Sequence, residues 1–460
     1  MKMSYLSTRG QSSATDFSTA VMEGLAPDGG LYVPERIPDV TSELSAWASL
    51  AYRDLAVEVM RRYADLSETQ LHSLIERAYA TFRHPAVAPV VRVGDVWILE
   101  LFHGPTLAFK DLALQFLGRL FDVFLEGADE RLNILVATSG DTGSAAIHAV
   151  RGCRNIRIFV LYPRGRISPL QERQMTSVLD SNVFTLAVEG TFDDCQRIVK
   201  SLLADRKLKG EIRLGAMNSV NWARLLAQMV YYFSSAFAVM RATGAGRVRF
   251  VVPTGNFGNV FAGYLAARMG LPVERLVVAT NENDILSRFF ATGEYRRGEV
   301  VATLSPSMDI QSASNFERYL YFKFDGDPAR VRDALNTFER DGRVSAPEAA
   351  RDPLWAAERA DTEDTCTAIR ETWERSGYLM DPHTAVGVAV ARRLAPSEAP
   401  TICLATAHPA KFPEAIRRAI GRDLARHEAL DALRDAPTRV ERVPADIRQV
   451  RDYLWRHAQG

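Results

Sequence analysis

From residue 132 onward the chain keeps one rhythm: a short apolar run rich in branched side chains, a turn, a helix-length segment, then another apolar run. Leu132–Thr138 leads through Ser139-Gly-Asp-Thr-Gly143 into a helical stretch ending near Val150. Ile156–Leu161 and Val183–Val188 repeat the pattern, with helices expected from Pro169 to Ser177 and from Phe192 to about Ala204. A long helix from Asn221 to about Arg241 precedes a second series. Its strands are Arg249–Pro253, Arg275–Thr280 and Thr401–Thr406, with helices over Val260–Met269 and Asp364–Ser376. Strands alternating with helices of this size close into right-handed βαβ units around parallel sheets. The rhythm therefore predicts an α/β protein of two doubly wound parallel-sheet halves. Residues 1–92 mix helical periods with Pro/Gly turns and are expected to form an N-terminal α+β segment. The two halves are expected at about 93–241 and 242–460, as discontinuous domains, with 285–365 less regular and more charged.

Composition narrows the function classes. Formal charge is zero, which argues against a broad electrostatic footprint for nucleic acid. No run approaches the roughly twenty apolar residues of a membrane span. The N-terminal residues lack the apolar core of a secretory signal. The four cysteines, Cys153, Cys195, Cys366 and Cys403, show no paired spacing and read as buried thiols of a reducing compartment. A soluble, cytoplasmic protein without a metal site is expected.

One lysine stands out. The chain has seven lysines against forty-nine arginines, so arginine is its default cation. Lys110 nevertheless sits among apolar neighbours in His103-Gly-Pro-Thr-Leu-Ala-Phe-Lys-Asp111, at the start of a helical pattern over Leu112–Phe121. A buried ammonium is expensive and tends to lose its proton. Imine formation with a carbonyl, the chemistry of pyridoxal-phosphate enzymes, needs a primary amine and cannot use a guanidinium. A lysine snorkelling at a helix edge is the plainer reading, and this segment alone leaves both open.

Open parallel sheets bind ligands at the carboxyl ends of their strands, and three loops stand there. Thr138-Ser-Gly-Asp-Thr-Gly143 offers hydroxyls and helix-start N–H groups to an anion, or makes an ordinary capped turn. Pro253-Thr-Gly-Asn-Phe-Gly-Asn259 lacks both the Walker A and the dinucleotide spacing, which leaves a monophosphate cup or a tight structural turn. Ala405-Thr-Ala-His-Pro-Ala-Lys-Phe412 would aim Thr406, His408 and Lys411 into one crevice, or cap a helix with Pro409. Asn218-Ser-Val-Asn-Trp-Ala-Arg224 places amides and a guanidinium at a helix start, where Asn218 or Ser219 could equally be the cap. Arg164, Gly165, Arg166 and Ser168 form a second such group. No histidines have metal-ligand spacing, and there is no nucleophile elbow.

Taken together, these segments and the opening Tyr5–Gly10 and Gly24–Pro34 stretches resemble the threonine synthase family. So does Asp381-Pro-His-Thr384. The motifs occur in the family's order over nearly the whole chain. The resemblance implies the fold type II (tryptophan-synthase-β-like) class and pyridoxal 5'-phosphate as cofactor. Lys110 would hold it covalently; Gly255, Asn256, Phe257, Gly258 and Asn259 would cradle its phosphate; Thr406 would face its ring nitrogen. The implied reaction converts O-phospho-L-homoserine and water into L-threonine and phosphate. Lys110 would serve as the base, and domain closure on substrate would exclude water. Thr106, Ser139, Asp141 and Thr142 are expected at the substrate carboxylate. Asn218, Arg224 and Lys411 are expected at its phosphate. A monomer or homodimer is compatible with this reading. A phospholyase or dehydratase giving a 2-oxo acid is the nearest alternative, and a catalytically silent binding protein on the same scaffold is another.

Overall fold

A computed structural model describes residues 2–126 and 131–458. Its strands are apolar without alternation because both faces are covered: all five residues of Thr401–Ala405 are buried, as are five of the six in Leu132–Ala137. Among the described residues one sheet of five parallel strands runs in the order 441–444, 183–189, 156–163, 132–137, 214–216. The other has six strands, ordered 355–359, 273–280, 248–253, 401–405, 96–100, 90–93, and only its last pair is antiparallel.

Sheet membership does not follow the linear division at residues 92 and 241. Val96–Glu100, just before the lysine segment, pairs with Thr401–Ala405. Glu441–Pro444 crosses to the five-stranded sheet beside Val183–Glu189. Strand partners far apart in sequence leave no local signal. The 285–365 stretch is also more regular than its composition suggests: it contains helices Phe316–Lys323 and Pro328–Asp341 and the edge strand Trp355–Arg359. Pro328–Asp341 buries only Val331, Ala334 and Phe338. So thin an apolar stripe is easily read as a charged loop.

Successive strand residues face opposite sides of each sheet. Ile134 and Val136 of one sheet, and Phe250 and Val252 of the other, share a single core. That core also takes in helices Lys110–Phe124, Trp222–Thr243 and Gly258–Arg268. Val251 and Cys403 face a second core with Pro382–Arg393, and Leu135 and Phe159 face a third with Phe192–Ala204. Trp222–Thr243 is buried almost all round. Helices 110–124, 222–243 and 258–268 thus have their first turns built into the shared interior, where an unsatisfied N–H is costly. Burial pushes the thiols of Cys195 and Cys403 up to about 12, leaving them inert.

Candidate active site

Lys110 is the first residue of helix Lys110–Phe124. The turn before it is tied by Asp111, whose two carboxylate oxygens accept from the Thr106 N–H at 2.8 Å and the Thr106 hydroxyl at 2.7 Å. The terminal loop closes on it from the other side. The Phe109 N–H donates to the Thr406 carbonyl at 2.8 Å, and the His408 N–H to the Leu107 carbonyl at 3.0 Å. Thr406 is thereby fixed beside Lys110, and no hydrogen bond of its hydroxyl occurs among the described residues. The Thr106 hydroxyl, in contrast, is fully buried and committed to Asp111. It cannot reach a substrate carboxylate as expected; it is part of the scaffold that presents Lys110.

The lysine meets a carboxylate that it shares. Lys110 Nζ lies 3.5 Å from one oxygen of Asp141, and Lys411 Nζ lies 2.8 Å from the other. Lys411, 1% exposed, also donates to the Thr106 carbonyl at 2.8 Å. Gln171 donates to Asp141 at 3.0 Å, and Gln174 to the Thr106 carbonyl at 3.2 Å. Burial alone would push the Asp141 carboxyl up. The Lys411 and Lys110 ammoniums outweigh it and hold the group far below the usual carboxylate range. Burial lowers the Lys110 amine, Asp141 offsets only part of that, and the Lys411 and Arg224 charges push the same way. An amine held below its ordinary value can act as nucleophile and base near neutral pH. Two expectations change here. Both Asp141 oxygens are taken up by Lys110, Lys411 and Gln171, and an ionised carboxylate has no donor to offer a substrate carboxylate. Lys411 is occupied by Asp141 and Thr106, so it is not free for a substrate phosphate and does not face the crevice that His408 lines.

Thr138 organises the neighbouring turn, its hydroxyl accepting from the N–H groups of Gly140 at 3.0 Å and Gly143 at 2.8 Å. Gly140 has φ +140°, and a Cβ there would lie 2.5 Å from the Gln171 amide. Helix Asp141–Val150 starts without a side-chain bond from its Gly140 cap. The exposed Ser139 and half-buried Thr142 are left at that helix start as donors.

The glycine loop is built from neutral groups. Phe257 has φ +63°, a conformation disfavoured for any side chain, and is held there by rings of Phe290, Phe316, Tyr319 and Trp355. Its side chain is core, so only its backbone can meet a ligand. At Gly255 a Cβ would stand 2.6 Å from the Ser307 carbonyl. The Ser307 N–H donates to His383 Nε2 at 3.2 Å, which places the ring proton on Nδ1, 2.8 Å from Asp381. The Asp381-Pro-His-Thr motif thus braces the loop from behind. The amide oxygen of Asn259 accepts from Tyr231 at 2.6 Å and Tyr232 at 3.0 Å, leaving its Nδ2 buried and unpartnered.

The last segment joins this loop through residues that no motif announced. Asn221, rather than Asn218 or Ser219, caps the long helix, accepting from the Ala223 N–H at 3.0 Å. Asn315 donates to the carbonyls of Ser219 at 3.1 Å and Asn256 at 3.3 Å. Arg318, fully buried and pushed down to about 9 by burial, donates to Tyr32, Asn315 and Val220. The Ser219 and Asn256 segments are thereby tied together. Arg224 is 5% exposed, and its Nε and Nη1 have no partner; burial pushes it down to about 10. A buried guanidinium with unspent donors calls for an anion. The Arg164 group is a surface feature: Arg164 pairs with Glu189, and Ser168 caps Pro169–Thr176.

Known proteins match this arrangement. A family model described as "Threonine synthase N terminus" matches residues 4–79, "Pyridoxal-phosphate dependent enzyme" matches 76–334, and "Threonine synthase, C-terminal" matches 384–454. Threonine synthase of Pseudomonas aeruginosa is 46% identical over 470 residues, covering 99% of this chain and 98% of that one. A crystal structure of PLP-bound threonine synthase from Brucella melitensis superposes with a TM-score of 0.95 at 43% identity, covering 100% of both chains. The yeast enzyme's structure gives 0.94 at 42% identity, with 99% and 98% covered. Motifs, fold and near-complete similarity agree: the chain belongs to the threonine synthase family of pyridoxal-phosphate-dependent enzymes.

Proposed function

We propose that this chain converts O-phospho-L-homoserine and water into L-threonine and phosphate, with pyridoxal phosphate held by Lys110. The observation that carries the reading is the buried Lys110 amine, lowered by burial and held 3.5 Å from Asp141, in a turn whose Phe109 N–H is tied to the Thr406 carbonyl. The residues fit the cofactor. The unpartnered Asn259 amide and the N–H groups of the Gly255–Asn259 loop suit its phosphate, and Thr406 suits a neutral ring nitrogen.

When bound, the cofactor supplies an electron sink for carbanion chemistry. Lys110 would take the Cα proton of the substrate and later handle a proton at Cβ. Ser139, Thr142 and the helix-start N–H groups hold the substrate carboxylate. Arg224 and Asn218 hold the phosphate that leaves from Cγ, where a desolvated guanidinium is worth more than in water. Asp141 and Lys411 keep the floor of the site electrically balanced. Closing of the two halves on substrate would keep water out until elimination is complete. No helix among the described residues is long and apolar enough to cross a membrane.

Borohydride reduction of the holoenzyme followed by peptide mapping should locate the cofactor on Lys110. Assay with O-phospho-L-homoserine should give L-threonine, and release of 2-oxobutyrate in its place would point to the lyase alternative. Lys110→Ala should lower turnover by at least about a thousandfold, the scale of losing a positioned base and nucleophile.

A further inference from the structure

Beside the Lys110 turn opens a separate cleft of about 440 Å³, of a size that takes small ligands. Leu107 and His408, which pair through their backbones, form part of its wall. None of the residues proposed above to meet cofactor or substrate lines it.

Its polar groups are almost all donors. Glu100, the one carboxylate in the lining, is already spent: its oxygens meet the Tyr378 hydroxyl at 2.9 Å and His103 Nε2 at 2.8 Å. His408 Nδ1 accepts from the Ala410 N–H at 3.2 Å, and His427 Nδ1 from the Ala429 N–H at 3.1 Å. Both rings therefore carry their proton on Nε2, and neither Nε2–H has a partner among the described residues. The rings meet edge to face, 4.8 Å apart. Burial pushes His408 down to about 4 and lowers His427 as well, so each is neutral at pH 7 and offers a single N–H. Two guanidiniums complete the set. Arg83 spends one N–H on the Gly104 carbonyl. Among the described residues Arg426 pairs with Asp423 at 3.4 Å and Asp431 at 3.5 Å on the solvent-facing surface, and such pairs re-partner at little cost. Phe102, Leu107, Leu379 and Pro409 supply an apolar wall.

Unspent donors facing an apolar wall, with the one lining carboxylate held on both oxygens by Tyr378 and His103, suit an anion that carries a few carbons. We infer that this cleft binds a small carboxylate with a short apolar body, at a site distinct from the substrate cleft.

The test uses full-length holoenzyme carrying histidines labelled at Cε1. The chain has eight histidines, so the spectrum is simple. Sodium isobutyrate, titrated at constant ionic strength, should shift the His408 and His427 resonances saturably and leave His148 unmoved. Isobutylammonium chloride should shift neither, and inorganic phosphate should bind more weakly than isobutyrate. Arg426→Gln and His427→Asn, which keeps a capping oxygen, should each weaken isobutyrate about tenfold, the scale of a lost charge-assisted hydrogen bond. Arg224→Gln should leave it unchanged. The inference is overturned if no saturable shift occurs, if phosphate or the ammonium binds as well as isobutyrate, if both cleft variants bind normally, or if Arg224→Gln abolishes binding.

Discussion

The two ends of the candidate site solve opposite electrostatic problems. At Lys110 the protein buries two lysine amines around one carboxylate, Asp141, which both of them share. The Gly255–Asn259 loop itself carries no charged side chain, and prepares for an anion with backbone N–H groups, an amide and a strained turn clamped by aromatic rings. The first end tunes a proton, which requires charges close enough to move a pKa. The second only has to hold a group, and neutral dipoles fixed in advance do that without the desolvation cost of a permanent ion pair. Chemistry is placed where charge is balanced, and grip where the backbone is rigid.

If that contrast holds, substitutions at the charged end should be strongly coupled. Asp141→Asn leaves Lys411 buried without its partner and should cost about 3–5 kcal/mol in urea unfolding. Lys411→Met should cost less, because Lys110 still faces Asp141, and the double variant should recover much of the loss. Strict additivity would break the comparison. At the neutral end Phe257→Ala should also cost about 3–5 kcal/mol, through the lost ring alone. Phe257→Gly should cost about 1–2 kcal/mol less than Phe257→Ala, since glycine takes the left-handed conformation freely. Equal losses would mean that the turn is not strained.

Asp111 sharpens the contrast within one segment. It is as buried as Asp141 but faces chiefly the Thr106 donors, and burial pushes it up to about 6. Because that folded value lies above the unfolded one, near 4, its contribution is fully present below about pH 4 and is lost as pH rises through about 6. The loss is about 3 kcal/mol for two pKa units. Asp111→Asn should therefore gain stability relative to the parent between pH 4 and 7, followed by thermal unfolding across that range. Asp141, held far down, acts only below about pH 4 and with the opposite sign. The smallest effect is expected at Gly255→Ala. A Cβ against the Ser307 carbonyl should weaken cofactor binding about tenfold, or roughly 1.4 kcal/mol, with little change in unfolding.

The sequence alone located six of the strands in the two sheets, the helices that alternate with them and the three loops at the strand ends. It also singled out Lys110, because a lysine in an arginine-rich chain and a glycine loop after an apolar strand are local signals. Local signals stop where partners are distant. Asp141 reads as a ligand contact until Lys411 arrives from the other end of the chain, and Thr106 reads as a free hydroxyl until Asp111 is seen to hold it. Asn315 and Arg318, which bind the Ser219 and Asn256 segments together, lie at the start of a short helix inside the stretch read as irregular and charged. Side-chain type and spacing fix what a segment can do. Which charge meets which, and so which groups remain free for a ligand, depends on distances of a few ångströms that only the folded chain sets.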